Sequence, residues 1–272
     1  MIDRTALIQC FTDTQRMVRE DAELSRATLR MQAGTLLYFP GYSATDLQHK
    51  SADCPLTVVE DTTFHCAGGL IRDGRVAVLN FANAYSPGGG VTRGAMAQEE
   101  CLCRSSNLYS ALTLPYLIRN YYKHNEKTTG ELGTDAVIYS PGVTVFKSDD
   151  VLPVPLAEPF RVDVLTCAAP YVNPDRRKPI PLEKLEDTFK HRIRNMLEVA
   201  AANGADNLVL GAFGCGAFNN PPDLVAGCFR YCLVDKGYRD CFKRVVFAIK
   251  GGGRNYEVFH SILTDESRHT QE

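Results

Sequence analysis

No stretch of 18 apolar residues occurs in the 272-residue chain, so the sequence offers no membrane-spanning helix. The first twenty residues carry Asp3, Arg4, Asp13, Arg16, Arg19 and Glu20 where a secretory leader needs an apolar stretch, and a cytoplasmic protein without a membrane partner is expected. Neither sign of charge is in excess: 30 Lys and Arg stand against 32 Asp and Glu, giving a net charge of -2 and a pI near 6.3. Bulk electrostatics therefore do not steer the chain toward bare nucleic acid, and any phosphate it binds must be held by a local device. Internal repeats, low-complexity tracts and domain-separating linkers are also missing, while 44% hydrophobic and 23% charged residues exclude a disordered tail and a rod. One domain over 1–272 is expected, with residues 1–40 as a helical prefix packed on it through Leu7, Phe11, Val18, Leu24 and Leu29.

Cysteine is plentiful, but the ten residues are spread from Cys10 to Cys241 through apolar surroundings, which reads as buried thiols in a chain too large to need staples. The tight pairs, Cys101 with Cys103 and Cys228 with Cys232, lack zinc-site spacing and a histidine cluster, so neither a metal nor another cofactor is expected.

Six β-branched runs read as buried strands: 56–59, 76–81, 136–140, 162–167, 207–211 and 244–249. Helical spacing covers 98–123, 182–203 and 221–237. Alternation of the two predicts an α/β or α+β domain with a mostly parallel sheet and helices on both faces. The proline-rich stretch 151–159 is expected to be a loop or sheet edge, because proline cannot donate to a ladder.

Two glycine-rich loops follow predicted strands. In NFANAYSPGGGVTRGAMAQEE, Asn83 and the triplet Gly88, Gly89 and Gly90 lie between a strand and a helix that opens with Gln98, Glu99 and Glu100. A tight turn alone explains the triplet, and a helix dipole alone explains the acids. Together they place carboxylates beside a loop that a ligand can approach closely, which is the equipment of glycoside cleavage: one group to protonate the leaving oxygen, another to stabilise the sugar. Adjacent side chains on a helix diverge by about 100°, so the two acids cannot do the same job. Crowding should raise the proton affinity of one of them. The second loop, GAFGCGAFNNPP, fits neither the dinucleotide fingerprint nor the P-loop, yet its amides run into a helix start as a diphosphate cradle would.

These segments resemble the poly(ADP-ribose) glycohydrolases: PGGGVTRGAMAQEE is similar to their GGG-x(6 to 8)-QEE signature, with seven residues between Gly90 and Gln98, and AQEECLCRSSNLY resembles the microbial branch. Similarity extends to DTT at 61–63, NFAN at 80–83, IYSPGVTVF at 138–146 and GAFGCGAFNNPP at 211–222. The resemblance implies a macrodomain-like three-layer α/β/α sandwich around a mixed sheet, binding ADP-ribose at the strands' carboxyl ends. It implies that Glu100 is the catalytic carboxylate and Glu99 its substrate-orienting neighbour, with Gln98 beside them and Asn83 and Gly88, Gly89 and Gly90 around the scissile ribose. Gly214, Cys215, Gly216 and Ala217 would receive the diphosphate, and Phe218 would pack beside a ribose. The acid that meets adenine would be Asp61 or none on this chain. The implied substrates are poly(ADP-ribose) or ADP-ribosylated protein, cleaved from chain ends, with the prefix and Phe39–Tyr42 helping to wall the site. A mono-ADP-ribosyl hydrolase and a non-catalytic ADP-ribose reader are the alternatives, and the intact acids favour an enzyme.

Overall fold

The computed structural model describes residues 3–52, 54–128, 132–173, 175 and 179–264. Its strands, numbered along the chain, are β1 (Leu36–Tyr38), β2 (Leu56–Val59), β3 (Val76–Phe81), β4 (Val137–Lys147), β5 (Pro155–Cys167), β6 (Asn207–Leu210) and β7 (Arg244–Ala248). They form one sheet in the order β1-β4-β5-β3-β6-β7-β2. The β1–β4 and β4–β5 pairs are antiparallel, whereas β5–β3, β3–β6, β6–β7 and β7–β2 are parallel. The sheet is therefore mixed and mostly parallel.

The apolar runs do not alternate with polar residues because both sheet faces are covered. On β3 and β7, Ala77, Leu79, Val245 and Phe247 point to one core, while Val76, Val78, Val246 and Ala248 point to the other. The first core is closed by α8 (Leu182–Ala202), α9 (Pro222–Arg230) and α10 (Gly253–Thr264). The second is closed by α1 (Arg4–Glu20), α2 (Ala22–Gly34), α3 (Thr63–Leu70), α4 (Gln98–Ser105) and α5 (Leu108–Leu112). This is the expected three-layer sandwich with N-terminal helices. Phe229, Phe247 and Phe259 interlock in the first core, with ring centroids 5.1 to 6.4 Å apart, and truncating one to Ala costs roughly 3–5 kcal/mol.

The prefix helices divide at Asp21, which ends α1 and caps α2 by accepting the Leu24 N–H at 2.8 Å. Leu7, Phe11, Val18 and Leu24 are buried as expected, but Leu29 is 64% exposed and belongs to the solvent face. The long helix expected over 98–123 is broken: after α4 and α5 come α6 (Pro115–Leu117), a π-helical turn (Ile118–Tyr122) and α7 (Lys123–Thr128). Asn107 causes the first break by exchanging hydrogen bonds with Thr144 of β4, and Pro115 starts a new segment after the second. The helix expected over 221–237 is α9 followed by a π-helical turn (Tyr231–Asp235). The proline-rich stretch enters the sheet at Pro155, yet β3 pairs with β5 only from Asp163 onward, so the prolines lie where β5 has β4 alone as a partner. Among the described residues, no helix is long and apolar enough to cross a membrane.

Candidate active site

The parallel strands deliver their carboxyl ends to one cleft of about 470 Å³. Asp61, Thr62 and Thr63 reach it after β2, Phe81 at the end of β3, Ala169 after β5, Ala212, Gly214 and Gly216 to Phe218 after β6, and Ala248, Ile249 and Lys250 from β7. Met96, Ala97 and Gln98 complete the wall at the start of α4.

Gln98 ties α4 to the end of β3. Its side-chain oxygen accepts the Phe81 N–H at 2.8 Å, and its amide donates to the Leu79 carbonyl at 2.7 Å and the Thr63 hydroxyl at 3.0 Å. This anchoring sets the next two residues against the loop 82–90. Glu99 is 2% exposed, with one oxygen taking the Asn83 N–H at 2.7 Å and the other taking the Asn80 amide at 3.3 Å. Glu100 is 6% exposed, with Oε1 accepting the Gly90 N–H at 2.8 Å, while its buried Oε2 has no partner among the described residues. The two acids thus differ as the helix geometry demands: Glu99 is saturated by β3 and the loop after it, and Glu100 keeps one buried oxygen without a partner among the described residues.

Burial and the charge of Glu100 push Glu99 up to about 8, against the pull of the Asn83 and Gly88 backbone donors and the Asn80 amide. The sequence predicts one raised acid, and the resemblance implies proton transfer by Glu100; the raised group is Glu99. Gly89 is required between them. Its φ is +59°, and a β-carbon there would run into Glu100 Oε1 and lie 3.1 Å from Glu99 Oε2. Asn83 is turned to a second task, its side-chain oxygen accepting the Tyr85 and Ser86 N–H groups at 2.8 and 2.9 Å to shape the turn before the glycines.

The second loop is built the other way. Gly214 has φ +75°, where a β-carbon would run into Ala169 and the Asn220 amide, and Asn220 donates to the Gly214 and Pro170 carbonyls at 2.9 and 2.8 Å. The backbone N–H groups of Gly214, Gly216, Ala217 and Phe218 donate to no acceptor among the described residues. Cys215 departs from expectation: its N–H is spent on the Ala212 carbonyl at 3.1 Å, and burial pushes its thiol up to about 12, so it serves as an apolar filler. Phe218 lines the cleft with Tyr171 edge-on at 5.8 Å.

Asp61 does line the cleft, where its carboxylate accepts the Thr62 N–H at 2.7 Å and sits 2.8 Å from His65 Nδ1. Phe39 and Tyr42 do not join this wall. Tyr42 packs on Tyr38, whose hydroxyl meets Asn203 just beyond α8, close to where β6 begins, at the opposite end of the sheet. The prefix instead packs behind the glycine triplet, with Phe11 edge-on at 4.9 Å to Tyr109, whose ring lies against Gly88. Residues the sequence reading passed over include Asn80, Asp149, Lys250 and Asn255. Asn80 was detectable as the one polar residue in VAVLNF; Asp149 caps α3 from a hairpin distant in sequence, accepting the Phe64 N–H at 2.7 Å, and left no local signal. Among the described residues, no three His, Cys, Asp or Glu side chains gather as a metal site.

Residues 8–148 match the family described as microbial-type PARG, catalytic domain. No curated protein matches the chain. Among solved structures, poly(ADP-ribose) glycohydrolase from Thermomonospora curvata is 31% identical over 96% of this chain and 98% of its own, with a TM-score of 0.82. The same enzyme bound to the inhibitor ADP-HPD gives 32% identity, the same coverages and 0.81. The glycohydrolase from Deinococcus radiodurans in complex with ADP-ribose gives 36% identity over 88% of this chain and 97% of its own, with 0.78. With parallel strand ends and a free-amide loop around one cleft, and the paired acids buried just behind its Gln98 wall, the chain belongs to the microbial-type poly(ADP-ribose) glycohydrolase family.

Proposed function

We propose that this enzyme, a poly(ADP-ribose) glycohydrolase, uses Glu100 to cleave ribose-ribose O-glycosidic bonds and releases ADP-ribose from chain ends, acting in the cytoplasm on poly(ADP-ribose) or ADP-ribosylated protein. The observation that carries the assignment is the asymmetry of the acids, since of the two Glu100 keeps a buried carboxylate oxygen without a partner among the described residues. Glu100 gives a proton to the leaving 2′ oxygen as the bond to the ribose anomeric carbon breaks, and positive charge spreads over that ribose. The ionised carboxylate then takes a proton from water, whose oxygen adds to the anomeric carbon. Below about pH 8 the acid pair holds one proton, stored on Glu99 before substrate binds and delivered through Glu100, and Glu99 also fixes the Asn83 backbone. The amides of 214 and 216–218, unpaired among the described residues, receive the diphosphate, Lys250 adds a cationic side chain to the cleft wall, and Phe218 packs beside a ribose. The chemistry needs no metal.

Preference for chain ends is supported by charge. Asp61 and Asp149 stand in the cleft wall, and Asp150 and Glu158 join them in the adjoining groove against Arg72, Lys147 and His65, leaving a modest excess of negative charge that disfavours a second diphosphate. Time-resolved product analysis on defined polymer tests the reading: ADP-ribose monomer is expected to dominate from the earliest points. Early release of long oligomers contradicts chain-end action, and hydrolysis of mono-modified protein with polymer untouched contradicts the substrate.

A further inference from the structure

Arg104 lies one helical turn beyond Glu100 on α4, and its large polar side chain is fully buried. Helical side chains lean toward the N-terminus, so the guanidinium reaches back over the face that carries Glu100. There Nη1 donates to the Ala95 carbonyl at 2.6 Å, and Nη2 lies 3.3 Å from Cys101 Sγ. The Ala95 N–H in turn donates to the Gly90 carbonyl at 3.1 Å, and the Gly90 N–H donates to Glu100 Oε1 at 2.8 Å. Four residues thus close a ring: Arg104 grips Ala95, Ala95 grips Gly90, and Gly90 grips the carboxylate.

A buried cation without a carboxylate is an expensive arrangement. The side-chain hydrogen bonds of Arg104 go to a carbonyl and a thiol, and its Nε has no partner among the described residues. Packing alone would be served by an apolar side chain of similar volume. What an apolar side chain cannot do is hold the Ala95 carbonyl, and with it the loop 90–95 that presents the Gly90 amide to Glu100.

We infer that Arg104 is a positioning residue for the reaction: through Ala95 and Gly90 it fixes which oxygen of Glu100 is tethered and which is left for substrate. The inference rests on the assignment of proton transfer to Glu100. It separates Arg104 from the diphosphate cradle, which hangs on a different strand and shares none of these bonds.

The test measures kcat on polymer, ADP-ribose affinity and Tm for Arg104→Met, Arg104→Lys, Thr14→Val and Glu100→Gln. Thr14→Val is the stability control, because the Thr14 hydroxyl lies 2.5 Å from the Arg104 carbonyl oxygen and accepts from Lys147 Nζ at 2.8 Å, outside the ring. Arg104→Met is expected to lose about 10- to 100-fold in kcat with ADP-ribose affinity within about twofold of wild type, as befits a small displacement of a reacting group. Arg104→Lys, which keeps a donor for Ala95, is expected to recover much of that loss, and Thr14→Val to lower Tm with kcat unchanged. A kcat for Arg104→Met near wild type, a loss of affinity matching the loss of kcat, or no advantage of Lys over Met overturns the inference. Should Arg104→Met fail to fold, Arg104→Lys and Arg104→Gln decide it: kcat must fall in the order wild type, Lys, Gln, and a wild-type kcat for Gln overturns it. High turnover by Glu100→Gln removes the underlying catalytic assignment instead, so the two failures are distinguishable.

Discussion

The two glycine-rich loops begin alike, at the carboxyl ends of neighbouring parallel strands, and they spend their backbone amides in opposite ways. Between β3 and α4 the N–H groups of Asn83 and Gly90 are turned inward onto Glu99 and Glu100, so the loop grips the protein's own acids. Between β6 and α9 the N–H groups of residues 214 and 216–218 have no acceptor among the described residues, so the loop offers itself to an anion. Glycine makes both possible, and the destination of the amides decides between them. The first loop is spent on the protein's own acids, and the second is left for the diphosphate that we propose it receives.

The largest expected effect breaks the first loop's function without touching the second. Glu100→Gln keeps the shape of the side chain and removes its titratable proton, and a loss on the order of 10² to 10⁴ in kcat is expected, with ADP-ribose affinity retained. Steady-state kinetics on polymer and calorimetry with ADP-ribose check both halves.

A smaller effect sharpens the contrast within the acid pair. Glu99 binds its proton far more tightly in the folded chain than the ordinary carboxyl value of 4.5, at about 8. Its contribution to stability is therefore fully present below about pH 4.5 and is lost progressively as pH rises through about 8, by on the order of 1.4 kcal/mol per tenfold change in proton affinity. Denaturation midpoints across pH 5 to about 8.5 should fall for the wild type and stay flatter for Glu99→Gln. Turnover should also decline above about pH 8 as the pair loses its proton. Parallel stability curves for the two proteins would show that Glu99 is not the group concerned.

The smallest expected effect is none: excess EDTA should leave turnover intact, because the described acids and thiols do not gather as a ligand set. Strict loss of activity restored by one divalent ion would count against this.

The longest features of the fold were legible because they obey local rules. Six apolar, β-branched runs became strands, since a doubly covered parallel sheet leaves no polar alternation to confuse the pattern. β1 was not legible: Leu36 is half exposed, and three residues become a strand only because β4 offers them an edge. The 98–123 segment has helical spacing throughout, yet Asn107 finds Thr144 across the fold and the helix stops there. At the site, the acids and glycines could be read as types, whereas the direction of each amide could not. Nothing local in GAFGCGAF distinguishes the Cys215 N–H, which is satisfied internally, from its neighbours at 214 and 216, which are not. Nor does the adjacency of Glu99 and Glu100 reveal which is saturated, because the Asn80 and Asn83 donors come from the preceding strand and loop.

The division of labour between the loops is tested most directly by damaging each glycine loop in turn and measuring kcat and ADP-ribose affinity on both variants. Gly89→Ala forces a β-carbon into the Glu100 carboxylate at a left-handed backbone position, and about a 10²-fold loss in kcat with near-normal affinity is expected. Gly216 faces open space, so Gly216→Glu is tolerated sterically but sets a negative charge at the free amides, and about a 10- to 100-fold loss of ADP-ribose affinity is expected with a smaller change in kcat at saturating polymer. Opposite patterns in the two variants support the account; the same pattern in both, with each protein folded, contradicts it.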